Sequence, residues 1–356
     1  MKKTIVFLLL HFFILSAFTQ TDKKEIASQK AQEAIKIMDE GRIDESIILL
    51  KEAEKLDPKN YVFPYEIAYA LVMKKEYAKA IKLLKKVKKY KPTSSQVYQM
   101  SGNCYSFMGK PEKAIKEYEE GMKHFPNAGN LYLERGNIYL QQENYLEAVQ
   151  NYDHGIAVDP EFPSNYFRLA KLFLNSNDKL SGLIYGEIFM NLERSTERTL
   201  EMSRLLFDTY KKSITIGEGE IEIDFCEIII DATELDFDDD NLKLPFCGIF
   251  GKNFILAVVD EKEINLSSLS SIRKKFLENY FKEDYLKYPN VLFEYHKKIM
   301  DNYLFDAYNH YLFQIGAEDQ FETWLQINGP DYDRFVDWFT AEENYLKVTS
   351  ESRYMR

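Results

Sequence analysis

Small, aromatic and proline residues return at a fixed interval through the first half of the chain. Two stretches of equal length, 95–128 and 129–162, follow one another without insertion. Tyr98, Gly102, Tyr105, Gly109, Ala114, Tyr118, Gly121 and Pro126 stand at positions 4, 8, 11, 15, 20, 24, 27 and 32 of the first. Tyr132, Gly136, Tyr139, Ala148, Tyr152, Gly155 and Pro160 answer them in the second, with Glu143 at position 15 in place of glycine. Residues 61–94 hold the register with Pro64, Ala68, Leu71, Tyr77, Ala80, Leu84, Val87 and Pro92. Residues 27–60 hold it with Ala34, Ile37, Gly41, Ser46, Leu50, Ala53 and Pro58. Residues 163–196 keep Tyr166, Leu169, Ala170 and Phe173, then carry Gly182, Gly186 and Phe189 where an alanine, a large residue and a small one are usual, and Arg194 at position 32.

The pattern changes twice after that. A helix is predicted over 197–212, with Glu197 in its first turn, Leu200, Leu205, Leu206 and Tyr210 as apolar positions, and Lys211 and Lys212 at its end. Ile214 and Ile216, then Gly217-Glu218-Gly219, then Ile221, Ile223 and Phe225 alternating with Glu220, Glu222 and Asp224 predict a β-hairpin inside an acidic linker, 213–244. A lone hairpin is marginal, so it is expected to pack on the end of the repeats. Phe246 to Val259 reads as helix or short strand, with Gly248 and Gly251 favouring neither. Helical spacing then returns: Ile272, Phe276, Leu277 and Tyr280; Val291, Leu292, Tyr295 and Ile299; Leu304, Tyr308, Tyr311 and Leu312 up to Gly316. Two short helices are predicted to follow, Phe321-x-x-Trp324-Leu325 and Phe335-x-x-Trp338-Phe339, broken by Gly329-Pro330. Residues 245–356 thus form an aromatic-rich helical domain that resembles no functional family.

The period of these repeats and their residue types resemble the tetratricopeptide repeat (TPR). The resemblance covers residues 27–196, as regular units 27–60, 61–94, 95–128 and 129–162 and one eroded unit, 163–196. It implies a pair of antiparallel helices per unit. Small residues at positions 8, 20 and 27 let the backbones approach, aromatics at 4, 11 and 24 fill the space around them, and proline at 32 ends the second helix. One pair cannot bury its own apolar stripe, so the units stack, and an eroded last unit is what results where a repeat meets something other than a repeat. The expected fold class is mostly α: a right-handed TPR α-solenoid, a small β-hairpin and an α-helical C-terminal domain.

In this family the first helix of each pair lines a concave groove, and positions 2, 5, 9 and 12 contact a peptide or a partner helix. Carried over by register, the groove offers Tyr65, Tyr69, Gln99, Asn103, Leu133, Asn137, Phe167 and Lys171. Asparagine at position 9, here Asn103 and Asn137, is a residue type that holds a peptide backbone. The family's clamp for a C-terminal carboxylate also needs lysine or arginine, but Gln99 and Glu134 occupy two of those places and only Arg168 suits. That ligand is therefore not expected. The resemblance implies a non-enzymatic scaffold with a protein or peptide partner.

Charge and composition narrow this further. The 356 residues are 45% apolar and 29% charged, a folded composition, with net charge −11. An acidic total argues against nucleic acid as partner. Lys74 to Lys91 holds nine lysines and one acid, Glu76, but lacks arginine and aromatic interleaving, and reads as a solvated outer face. Glu218 to Asp240 holds eleven carboxylates and no base. Lys2, Lys3, the apolar run Ile5 to Leu15, and small residues at Ala17 and Thr19 predict a signal peptide over 1–19 and an exported chain, periplasmic or extracellular. No later stretch is long and apolar enough to span a bilayer. Cys104 falls beside a packed face, whereas Cys226 and Cys247 are left open between a disulfide and two free thiols, since nothing in their spacing demands the bond.

No cofactor or metal site is expected. Asp236, Asp238 and Asp240 alternate as at the start of a calcium loop, but the sixth place is Asn241 and the twelfth Cys247. His124, His154, His296 and His310 share no ligand spacing, no G-x-S-x-G elbow occurs, and Gly248-x-x-Gly251-Lys252 falls short of a phosphate loop. The alternative to a scaffold is an enzyme or glycan-binding protein whose site lies in the C-terminal domain. The tryptophans and tyrosines there are the only residues that suggest it, and their spacing is that of a helical core.

Overall fold

The computed structural model describes residues 22–217, 220–227 and 245–355. The predicted signal peptide, most of the acidic segment and the aspartates at 236, 238 and 240 lie outside the described residues. The chain divides into two units, Met1–Asn151 and Tyr152–Arg356.

In the first unit helices follow in pairs: α1 (residues 22–39) and α2 (Ile43–Leu56), α3 (Val62–Met73) and α4 (Tyr77–Val87), α5 (Ser95–Phe107) and α6 (Pro111–His124), then α7 (Gly129–Gln141) and the start of α8 (Tyr145–Val158). The second helix of each pair starts at Ile43, Tyr77, Pro111 and Tyr145, each one full repeat after the last. The turn between the two helices explains position 15. Gly41, Lys75, Gly109 and Glu143 all adopt left-handed backbone there, with φ of 84°, 60°, 66° and 59°. This lets the next residue, Arg42, Glu76, Lys110 or Asn144, donate its N–H to the carbonyl five residues back, closing the first helix. Glycine adopts this shape without strain, whereas Lys75 and Glu143 accept a cost of roughly 1 kcal/mol each.

Packing explains the other fixed positions. A Cβ on Gly102 would sit 2.1 Å from Cε1 of Tyr118, so the glycine makes room for a tyrosine that is 1% exposed. Gly121 faces Tyr98 in the same way, its Cβ position 2.7 Å from that side chain. Between the helices Ala80, Leu84, Val97, Met100 and the free Cys104 form one buried cluster, and Tyr98, Ala114, Tyr118 and Leu131 the next. Burial of this kind stabilises by roughly 1.5–3 kcal/mol per large side chain.

The second unit begins with α9 (Pro163–Leu174) and α10 (Lys179–Leu192), the latter starting one full repeat after Tyr145. Here the repeat departs from its pattern. Asn177, at position 15, is outside the left-handed region. Instead Asp178 caps α10 by accepting from the Ser181 N–H at 3.2 Å, and the turn forms an isolated antiparallel bridge to Cys226: Leu180 N–H donates to Phe225 O, and Glu227 N–H to Asn177 O. Every residue from Leu180 to Asn191 is buried. The exchange of sizes at positions 24 and 27 follows from what covers this helix. Gly186 admits Met202 and Leu206 of α11 (Glu197–Ser213), while Phe189 turns onto Phe167, ring centres 5.0 Å apart.

The hairpin forms as β1 (Ile214–Ile216) and β2 (Ile221–Ile223), antiparallel, with Ile214 opposite Ile223 and Ile216 opposite Ile221. Its continuation, Phe225, packs edge-on against Tyr210, Phe250 and Phe254. Cys226 and Cys247 are joined by a disulfide, Cα atoms 6.3 Å apart. The ambiguous stretch is a helix, α12 (Phe246–Val258), because Phe250 and Phe254 stack one turn apart on the same buried face. Then come α13 (Leu266–Glu283), α14 (Val291–Asp301), α15 (Phe305–Phe313) and α16 (Glu318–Thr340). The last is two helical segments joined at a kink, matching the two short helices expected from sequence. Its kink is at Asn328, φ −111° and ψ 19°, just before Gly329-Pro330, since the proline ring cannot follow an undistorted turn. A short 3-10 turn, Glu342–Asn344, leads into a tail whose Leu346, Val348 and Tyr354 are buried.

Candidate partner-binding face

Helices α5 and α7 lie side by side, and the residues facing along their seam form a continuous chain of side-chain hydrogen bonds. Ser95 Oγ bonds Asn130 Oδ1 (3.1 Å), Asn130 Nδ2 donates to Gln99 Oε1 (2.8 Å), and Gln99 Nε2 donates to Glu134 Oε1 (2.8 Å). Asn103 Nδ2 reaches the same oxygen at 3.4 Å, and Asn137 Nδ2 donates to Glu134 Oε2 at 3.2 Å. At the far end the Tyr118 hydroxyl, held over Gly102, donates to Asn103 Oδ1 at 2.6 Å. Gln99, Asn103, Glu134 and Asn137 are half-buried. Of the two asparagines expected at position 9, Asn103 therefore has a structural duty to Tyr118.

The seam between α3 and α5 differs. Tyr65 packs on the cluster that holds Met100, and burial pushes its hydroxyl up to about 12. Tyr69, one turn on, is 44% exposed. Leu133, named with these from sequence, is 9% exposed and belongs to the packing. In the second unit Phe167 is 6% exposed, enclosed by Phe189, Lys171 and Arg198. Lys171 is paired with Glu201 at 2.6 Å, and Arg168 is half-buried. Among the lysines of 74–91, Lys74 pairs with Asp44, Lys79 with Glu76 and Lys88 with Glu117, each at 2.5 Å. Lys75, Lys82, Lys86 and Lys89 are exposed, as a solvated face requires.

The second unit holds a cluster that sequence reasoning missed. Glu187 Oε1, on α10, accepts from Arg273 Nη2 of α13 (2.5 Å), the Tyr308 hydroxyl of α15 (2.8 Å) and His296 Nε2 of α14 (2.7 Å). Asn309 accepts from Arg273, and Asn191 donates to the Tyr308 oxygen at 2.8 Å. Burial works to raise the Glu187 carboxyl, but Arg273 and His296 overcome it and bring it down to about 2. Burial also lowers His296 against the pull of Glu187. These groups resemble catalytic machinery in composition, yet Glu187, Arg273 and His296 are 3%, 4% and 2% exposed. A lone carboxylate inside the apolar run Leu183 to Met190 was the signal that could have found it. Arg194, where proline is usual, lies between the rings of Phe339 and Tyr345, 3.9 and 4.2 Å from their centres, and donates to Phe339 O. Trp324 stacks on His310 at 3.9 Å and donates to Asp306, so it is engaged within the domain. Among the described residues no helix is long and apolar enough to cross a membrane.

Stacked helix pairs with a polar inner seam define a helical-repeat scaffold for protein–protein interaction. The comparisons give its family: residues 37–104 and 95–126 match models of the tetratricopeptide repeat, and 136–177 a model of the TPR repeat. Residues 37–177 thus carry tetratricopeptide repeats. Among solved structures it is similar to Pseudomonas aeruginosa PilF (15% identity, 54% of this chain and 86% of that one, TM-score 0.43). PilW, a type IV pilus biogenesis factor, is similar at 17% identity (52% and 85%, TM-score 0.41). MamA from Desulfovibrio magneticus RS-1 is similar at 19% (48% and 97%, TM-score 0.36). No curated protein matches the chain in sequence.

Proposed function

We propose that the protein is an exported, non-enzymatic scaffold that holds an extended segment of a partner protein along the α5/α7 seam. The observation that carries this is the row of half-exposed amides and one carboxylate between Ser95 and Asn137, a continuous polar strip of the kind that bonds a peptide backbone or side chain. Tyr69 adds an exposed ring on the preceding first helix. The predicted signal peptide and the Cys226–Cys247 bond support export, since such bonds persist in oxidising compartments.

Site-specific crosslinking tests the binding half. A photo-reactive benzoylphenylalanine placed at Tyr69 should give one defined adduct in the cell envelope, and the same group at exposed Lys82 should give none. An adduct from Lys82 alone would move the working surface to the outer face. Fractionation with thiol alkylation tests the other half: Cys226 and Cys247 should be oxidised in an exported pool, and recovery of the whole chain with a cytoplasmic marker would sink that reading.

A further inference from the structure

Glu134 is the single charge in the α5/α7 network, and nothing in that network neutralises it. Its three donors, Gln99, Asn103 and Asn137, are all neutral amides, so they hold the carboxylate in one orientation and leave its full charge. Arg135, next along the helix, is turned elsewhere: Nε donates to Asn151 at 2.5 Å and Nη1 lies 3.5 Å from Glu119. Among the described residues no lysine or arginine pairs with Glu134. A carboxylate has about four lone-pair sites, of which three are used here, and the group is half-exposed. The result is a fixed negative site with room for one more donor.

We infer that Glu134 selects a cationic side chain, lysine or arginine, in the segment held along the seam; this rests on the peptide-binding reading above. An ammonium or guanidinium on the open edge makes a charge-assisted hydrogen bond, roughly twice as strong as a neutral one. The carboxylate is already oriented, so little side-chain freedom is lost on binding. An acidic residue at the same place meets like charge and is rejected. The α3/α5 seam complements this, because Tyr69 offers ring surface to the apolar stem of a long basic side chain.

The test is selection from a positional-scanning library of N-acetylated, C-amidated octapeptides on the full-length protein. Wild type should enrich lysine or arginine over aspartate or glutamate about tenfold at one library position, the size of one charge-assisted contact. Glu134→Gln, which keeps the side chain's size, should flatten that preference, and Glu134→Lys should invert it, with circular dichroism showing both variants folded. Enrichment without a charge preference, or a preference unchanged in Glu134→Gln, overturns the selection role while peptide binding stands. If wild type enriches nothing beyond a Tyr69→Ser, Gln99→Ala variant, the peptide-binding reading fails and this inference with it.

Discussion

Glu134 in the first unit and Glu187 in the second each accept hydrogen bonds from three side chains, yet their surroundings give them different work. The donors to Glu134 are neutral amides on two neighbouring helices, and the group is half-exposed. The donors to Glu187 are an arginine, a histidine and a tyrosine from three further helices, all sealed from water. An ion group buried this deeply gains little net stability over an apolar replacement, because desolvation offsets the attraction. Removing one partner is costly, so the cluster fixes which helices meet and in what register. A half-exposed carboxylate held only by neutral amides carries no such desolvation cost.

The largest expected effect tests that contrast directly. Glu187→Gln should cost about 3–5 kcal/mol in chemical denaturation, because it leaves Arg273 buried without its counter-charge. Glu134→Gln should cost below about 1 kcal/mol, as for a surface change. Equal losses would erase the distinction. Acid should separate the units next. Burial lowers His296 below its ordinary 6.5, so the unfolded chain takes up that proton first; the stability it supplies is complete above pH 6.5 and drains as pH falls below it. Glu187, at about 2 folded against 4.5 ordinarily, adds a second loss between those values. Burial lowers His310 in the same direction. Amide exchange followed from pH 8 to 4 should show α10, α13 and α14 losing protection before α5 and α6.

Hydroxyl deletions give a finer comparison. Tyr308→Phe removes a bond to a charged group and should cost about 1.5–3 kcal/mol, whereas Tyr118→Phe removes a neutral bond to Asn103 and should cost about 1 kcal/mol. Thermal melts of the two variants would rank them. Smallest are the turn substitutions. Glu143→Gly should stabilise by about 0.5–1 kcal/mol by releasing left-handed strain, while Asn177→Gly, outside that region, should weaken the fold slightly. Calorimetric midpoints moving in the same direction for both would contradict the difference between the regular and the eroded repeat.

The first unit was legible because its constraints are local and recur. The left-handed turn at position 15 recurs in all four regular units and takes glycine in two of them, and small residues, alanine or glycine, hold position 8 throughout, with Tyr118 packed so closely over Gly102 that a Cβ is excluded there. The candidate face was readable only in part. Register placed Gln99, Asn103 and Asn137 correctly beside one another, but not the fact that all three converge on Glu134, or that Leu133 and Phe167 turn inward. The second unit hid more, since Glu187 meets Arg273, His296 and Tyr308 across 86, 109 and 121 residues, and no period links them. Phe246 to Val258 was undecidable for a related reason: its glycines weaken helix and strand alike, and the aromatic neighbours that decide the matter come from distant segments.

Helix α10 belongs to two architectures at once, starting in repeat register at Lys179 and supplying the carboxylate around which the C-terminal helices assemble. Arrays of this kind change length by duplication or loss of whole units through unequal recombination. Such an event downstream of Pro163 would copy or delete Glu187 without Arg273, His296 and Tyr308, and strand a charge in the core. The packing thus tolerates gain or loss of a whole unit only upstream of the fifth, which its buried carboxylate ties to the helices that follow.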